Sequence, residues 1–365
     1  MNIFEALNVF YREDTISDFL MNCFKSSNEF LKRFLNEAKI PIKENASFHI
    51  DVRVGLGKNI GTPDLVIRVI TKDKVEFIII ENKMAASEGN EQTNRYESCG
   101  ARSEIAKKYK VSKEECKFHF IFLALDTTVQ PKNSTFKFLT YRIFLQGNWL
   151  LHNETLKQLF KDFQTKLHHF YVPLNHPCES LNSIELDRNQ RKIGWQTILF
   201  EAFKFNKELI LDWGVTGGAG RSNFLFLISK QHWKSNKPYQ ETGLAQTFYV
   251  HVDTYVNLLN QHSNIKEIGV RFETSPYAPH RKISKLAEYD KFIENKNEFG
   301  QRLYEKARKQ GLSVKRKNSK LLVMSLPIEA LTIRETVQDI KRKFVSIEHC
   351  IDEVLGEMKK ERLII

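Results

Sequence analysis

Asp64, Glu81 and Lys83 are the residues of this chain best placed to do chemistry. They lie in residues 63–84, PDLVIRVITKDKVEFIIIENKM. Asp64 follows a proline at the head of one apolar run. Glu81-Asn82-Lys83 closes a second apolar run, Phe77-Ile78-Ile79-Ile80. The polar stretch Thr71-Lys72-Asp73-Lys74 between the runs reads as a turn. A hairpin centred on Lys72-Asp73 sets Asp64 opposite Glu81. Directly opposed β-carbons lie about 4.5–5.5 Å apart, and like charges there repel. Alternation along the second strand puts Glu81 and Lys83 on one face and Asn82 on the other. Lys83 offsets one negative charge. A divalent cation offsets two, and hard cations such as Mg2+ favour carboxylate oxygens. A metal beside a lysine is suited to activating water and stabilising charge on a phosphate. Lys-Asp is a poor two-residue hairpin turn, and a slip of one residue would part the two carboxylates. A single charged residue at a strand end needs no more than solvent. Two carboxylates and a lysine ending both strands of one hairpin ask for a partner.

The elements that must position these residues follow from periodicity. Residues 4–12 and 15–39 read as helices, with Ile16, Phe19, Leu20, Cys23 and Phe24 at helical spacing. Residues 47–55, 63–70 and 75–81 read as strands. Residues 90–110 are helix-compatible, 117–125 and 136–145 read as strands, and 153–169 as helix. Helix, three strands, helix, strand is an α/β layer with a mixed sheet. Residues 172–190 carry two prolines and many small polar residues and read as a linker. Beyond it, a helix at 193–206 precedes strands near 222–229, 245–255 and 265–273. A helix at 283–310, a basic hairpin at 312–317 and 320–324, and a long helix at 330–360 follow. The expected division is a domain of residues 1–175 and a basic α+β domain of residues 191–365.

The motifs resemble those of the PD-(D/E)XK, or restriction-endonuclease-like, nuclease superfamily. Pro63-Asp64 and Glu81-Asn82-Lys83 are similar to its signature, and the element order is similar to its core. Gln92-Thr93-Asn94-Arg95-Tyr96 resembles the QxxxY motif of RecB-like members, and its i, i+4 spacing puts Gln92 and Tyr96 on one helical face. Glu13-Asp14-Thr15-Ile16-Ser17 resembles the acidic first-helix motif of bacterial members with an ENK third motif. The resemblance covers residues 4–145. It implies that Asp64, Glu81 and the backbone carbonyl of Asn82 bind Mg2+, with Mn2+ as a substitute. It implies that Lys83 handles the attacking water and the phosphate, that Glu13 is an accessory ligand or orienter, and that Gln92 and Tyr96 hold the scissile strand and the lysine. By their residue types alone, Glu13 can equally favour a helix start and Asp14 can cap it. The implied reaction is hydrolysis of a phosphodiester to a 5′-phosphate and a 3′-hydroxyl. DNA is the implied substrate ahead of RNA, with restriction or antiphage defence as an analogy. A second reading, a silent nuclease-like module for DNA binding or assembly, is disfavoured by the intact Asp64, Glu81 and Lys83.

Charge and composition agree with a polyanionic partner. The chain has 365 residues and a net charge of +12. Residues 1–190 hold 26 basic and 24 acidic residues, hence +2; residues 191–365 hold 30 and 20, hence +10. Such a balance favours nucleic acid. Lys315, Arg316, Lys317 and Lys320 are the expected phosphate contacts, giving affinity with little sequence choice. Five scattered cysteines without a CxxC pair suggest reduced thiols in a cytoplasm. No apolar run is long enough to span a bilayer, and the start of the chain does not resemble a secretion signal. The glycine-rich stretch Trp213 to Ser222 reads as a hairpin loop rather than a phosphate loop, because no Lys-Ser/Thr closes it. His168-His169 and His176-Pro177-Cys178 lack a four-ligand pattern and read as structural. A homodimer and an activating partner both remain open, with the last helix's apolar stripe as core or dimer seam.

Overall fold

The computed structural model describes residues 2–364 apart from 73, 87, 184, 219–220, 236–242, 261–263, 318–319 and 327–331. The chain divides into two compact units, Met1–Asn175 and His176–Ile365.

The first unit opens with α1 (Ile3–Ala6), α2 (Glu13–Ser26) and α3 (Asn28–Glu37). The helix expected over 4–12 stops after one turn, because Asn8 takes a left-handed conformation (φ 52°) that ends helical bonding. The helix expected over 15–39 is two helices. Ser27 breaks it with extended backbone and caps α3, accepting a hydrogen bond from the Phe30 amide at 3.2 Å. The cap position of α2 is Arg12, so Glu13 and Asp14 lie inside the first turn.

Strands β1 (Ser47–Val52), β2 (Leu65–Ile70) and β3 (Val75–Lys83) form an antiparallel meander. Helices α4 (Gln92–Glu97) and α5 (Cys99–Lys108) cross over to β4 (Cys116–Ala124), which runs parallel to β3. Then β5 (Lys137–Thr140) adds parallel to β4, and α6 (Glu154–Tyr171) follows. The sheet order is β1-β2-β3-β4-β5. Strand β3 is central and covered on both faces, which explains its unbroken apolar run: residues 77–80 are fully buried. The strand expected over 136–145 ends at Thr140, and a 3₁₀ turn, Tyr141–Leu145, carries Tyr141 and Phe144 inward. Phe4, Phe19, Phe30, Phe144, Phe160 and Phe163 then pack edge and tilt against one another between the helices and the sheet.

The second unit begins where a linker is expected. Pro177 starts the short α7 (Pro177–Ser180), and Leu181 and Leu186 are buried in the core. Asp187 and Gln190 form a capping box on α8 (Arg188–Phe203). An antiparallel sheet follows, built from β6 (Leu209–Gly218), β7 (Arg221–Lys230), β8 (Tyr249–Asn257) and β9 (Glu267–Glu273). After α9 (His280–Ile283) and α10 (Tyr289–Lys309) it is completed by β10 (Lys315–Lys317) and β11 (Lys320–Ser325), and α11 (Ile333–Lys360) closes the unit. The order is β10-β11-β9-β8-β7-β6. The glycine-rich stretch is mostly strand: β6 pairs with β7 from Leu209↔Lys230 to Gly218↔Arg221. Its residues 219–220 lie outside the described residues, as does Asp73 of the β2–β3 turn.

Candidate active site

The pairing frame of β2 and β3 decides which side chains meet. Leu65 faces Ile80 and Ile70 faces Val75, so the frame continued by one residue sets Asp64 against Glu81. Asp64 is tied across the strand ends, its Oδ2 accepting a hydrogen bond from the Asn82 amide at 2.7 Å. Its own carbonyl accepts from the Arg53 amide at 3.0 Å, which anchors the other side to β1.

Glu81 is 1% exposed and Lys83 8% exposed, so this is charge inside the protein rather than at its rim. The Lys83 amine lies 2.5 Å from Glu81 Oε1 and 3.7 Å from Glu13 Oε2. The other Glu81 oxygen, Oε2, is buried with no hydrogen-bond partner. Burial pushes the Asp64 carboxyl up to about 6, against the opposing pull of the Asn82 amide and Lys83. Burial, with Asp64 next, pushes Glu81 up to about 8. Burial alone would lower Lys83, but Glu81 and Glu13 outweigh it and hold the amine protonated.

Helix α2 supplies a second layer. Glu13 Oε1 accepts from the Met84 amide at 3.1 Å, so Glu13 spans the end of β3 and the lysine. The Asn82 side chain points to the opposite face, as alternation requires. Its Nδ2 donates to the Glu13 carbonyl at 3.3 Å and to Ser17 Oγ at 3.1 Å, and its Oδ1 accepts from the Tyr141 hydroxyl at 2.6 Å. Asn82, Ser17 and Tyr141 are all fully buried. Ser17 sits one turn after Glu13, a spacing visible in the sequence. Tyr141 had no local signal, because only the turn after β5 brings it there.

Gln92 and Tyr96 share one face of α4, with Gln92 Nε2 donating to the Tyr96 hydroxyl at 3.1 Å. Tyr96 is buried, its hydroxyl lies against Gly61 on the approach to Asp64, and burial raises it. Gly61 has φ +109°, a conformation glycine adopts freely, so the chain can pass this ring closely. Glu88 is a tether: it accepts from Thr93 and from the Lys132 amide.

The donor set fits a small divalent cation. An orphaned buried carboxylate oxygen and two carboxyls held above their ordinary range mark negative charge that lacks full compensation. Among the described residues no group of three or more His, Cys, Asp or Glu side chains stands ready to hold a metal.

The expected phosphate contacts of the second unit are less uniform. Lys315, Arg316 and Lys317 are exposed on β10, with Arg316 donating to Gln301 Oε1 at 2.8 Å and Lys317 paired to Glu267. Lys320 is buried, 3.3 Å from Asp253 and 3.2 Å from Glu267, with its amine over the Tyr255 ring. It serves the interior of the unit and is not presented with the other three.

The fold of the first unit is α/β, with a mixed sheet whose central strand ends in the buried charges. Residues 1–170, just under half of the chain, match the family model of the PD-(D/E)XK nuclease superfamily, which supports that superfamily for the first unit. The superfamily is one of nucleases that generally use divalent metal ions. The match stops short of the second unit. No curated protein and no solved structure matches the chain.

Proposed function

We infer that the first unit is a Mg2+-dependent nuclease that hydrolyses phosphodiester bonds in DNA. The observation that carries this reading is the buried set of Asp64, Glu81 and Lys83, with Glu81 Oε2 left without a partner. Asp64, Glu81 and the Asn82 backbone carbonyl would hold the cation, which supplies neutralisation of the phosphate and a lowered pKa for water. Lys83, kept protonated by Glu81 and Glu13, would orient the attacking water and donate to a non-bridging phosphate oxygen, where negative charge develops. Water oxygen bonds to phosphorus and gives up a proton to solvent, the P–O3′ bond breaks and O3′ takes up a proton from solvent, so the products are a 5′-phosphate and a 3′-hydroxyl. Glu13 positions Lys83, and Gln92 with Tyr96 supports the strand at the mouth of the site. The exposed Lys315, Arg316 and Lys317 add sequence-independent attraction for the phosphate backbone.

The test is a panel of supercoiled plasmid, linear duplex, single-stranded DNA and RNA, each with Mg2+, Mn2+ or EDTA. The reading expects cleavage of DNA with either metal and none in EDTA. Cleavage of RNA alone would overturn the substrate. Cleavage that survives EDTA would overturn the metal.

A further inference from the structure

A pocket lies within the second unit, between the end of β9 and α10. Its volume is about 300 Å3, the lower end of small-molecule sites. Arg271 and Glu273 reach it from one face of β9, and Phe292 and Lys296 from one face of α10. Tyr277 stands at its rim, 68% exposed although large and aromatic.

The polar groups of this pocket are not all occupied. Arg271 is braced from behind, its Nε donating to Asp253 Oδ2 at 2.5 Å and its Nη2 to the Tyr255 hydroxyl at 2.6 Å. It approaches Glu273 no closer than 3.7 Å. Beyond that contact Glu273 has no hydrogen-bond donor among the described residues. The Lys296 amine has neither a hydrogen bond nor an ion pair among them; Glu273 and Arg271 act on it only through space. Partial burial lowers Lys296 and raises Glu273, against the opposing pull of their opposite charges. A donor and an acceptor side by side on one partly open cavity fit a ligand that offers both.

We propose that this pocket binds a nucleobase, with Glu273 accepting from the base's N–H edge, Lys296 donating to its carbonyl or ring nitrogen, Phe292 beneath it and Tyr277 stacking at the rim. Shape and chemistry agree: Phe272, Tyr277 and Phe292 line the pocket, Glu273 offsets Lys296, and Arg271 is already paired with Asp253, which suits a neutral planar heterocycle rather than a bare anion. The base can belong to a free nucleoside or nucleotide, or to one unstacked unit of a strand.

The experiment is equilibrium binding to the full chain in EDTA, which separates it from the cleavage reading. The probes are guanosine, cytidine, adenosine and their 5′-monophosphates, inorganic phosphate, and a ten-residue single-stranded DNA. Two variants accompany the wild type. Lys296→Met removes an unpartnered amine at similar length, so its melting temperature should hold or rise. Tyr277→Ala alters an exposed ring and should leave folding unchanged. The expected result is saturable binding of at least one nucleoside, weakened about tenfold or more by Lys296→Met and about fivefold or more by Tyr277→Ala, with inorganic phosphate not competing. If only the oligonucleotide binds and both variants weaken it equally strongly, the pocket takes its base from a strand. Absence of saturable binding by any nucleoside, nucleotide or strand, or binding indifferent to both variants, overturns the proposal.

Discussion

At the residue scale, the candidate site is a cluster of charges held against its own solvation. For a carboxyl, a raised folded pKa means that the folded state binds more protons than the unfolded chain between the two values. With Asp64 near 6 and Glu81 near 8, the metal-free protein therefore loses stability as pH rises from about 4 to about 8. Glu81→Gln removes the larger share of this pH dependence, so in EDTA the loss of stability between pH 5 and pH 8, measured by denaturant unfolding, should be smaller in the variant than in wild type by about 1 kcal/mol or more, the worth of one pKa unit. Tyr141→Phe acts from the other face of β3. It leaves the buried Asn82 Oδ1 without its donor, which costs about 1–3 kcal/mol. Cleavage should fall in kcat with KM little changed, because Asn82 steadies the strand end and its side chain does not touch substrate. A KM effect alone would argue against that role.

At the element scale, much was legible and the exceptions have physical causes. The lengths of the two apolar runs and the polar turn between them specified the β2–β3 frame, because a one-residue slip would turn a buried face to water. The Asn82 side chain's opposite direction followed from alternation. Helix breaks were not legible at Asn8 and Ser27, where a left-handed residue and a cap interrupt an apolar pattern that continues past them. Strand β6 was missed because its glycines read as a turn, while its pairing partner β7 lies beyond that turn. Tyr141 could not be found from local pattern, since its partner lies 59 residues away. Lys320 read as part of a surface charge run, yet Asp253 and Glu267 draw it inside. A control belongs at this scale. Thr332 and Glu335 form a capping box at the head of α11. Thr332→Ala should cost about 1 kcal/mol in unfolding experiments and leave the cleavage rate of the folded protein unchanged.

At the scale of the whole molecule, charge and candidate chemistry are divided. The carboxylates and Lys83 belong to the unit of residues 1–175, whereas residues 191–365 carry a charge of +10 against +2 for the rest. Binding of duplex DNA, measured in Ca2+ or EDTA, should therefore weaken steeply with salt. A loss of about 10²-fold between about 50 and 200 mM corresponds to roughly four phosphate contacts. Lys315→Ala should reduce the salt slope by about one contact without changing sequence preference, whereas Lys320→Ala should act on stability, since its amine is already engaged. The measurement that bears most directly on the central claim compares wild type with Lys83→Ala on plasmid DNA in Mg2+, both confirmed folded by circular dichroism. The account predicts cleavage by the wild type, abolished by EDTA and reduced on the order of 10²–10³-fold or more in the variant. Equal cleavage by the two proteins would contradict it.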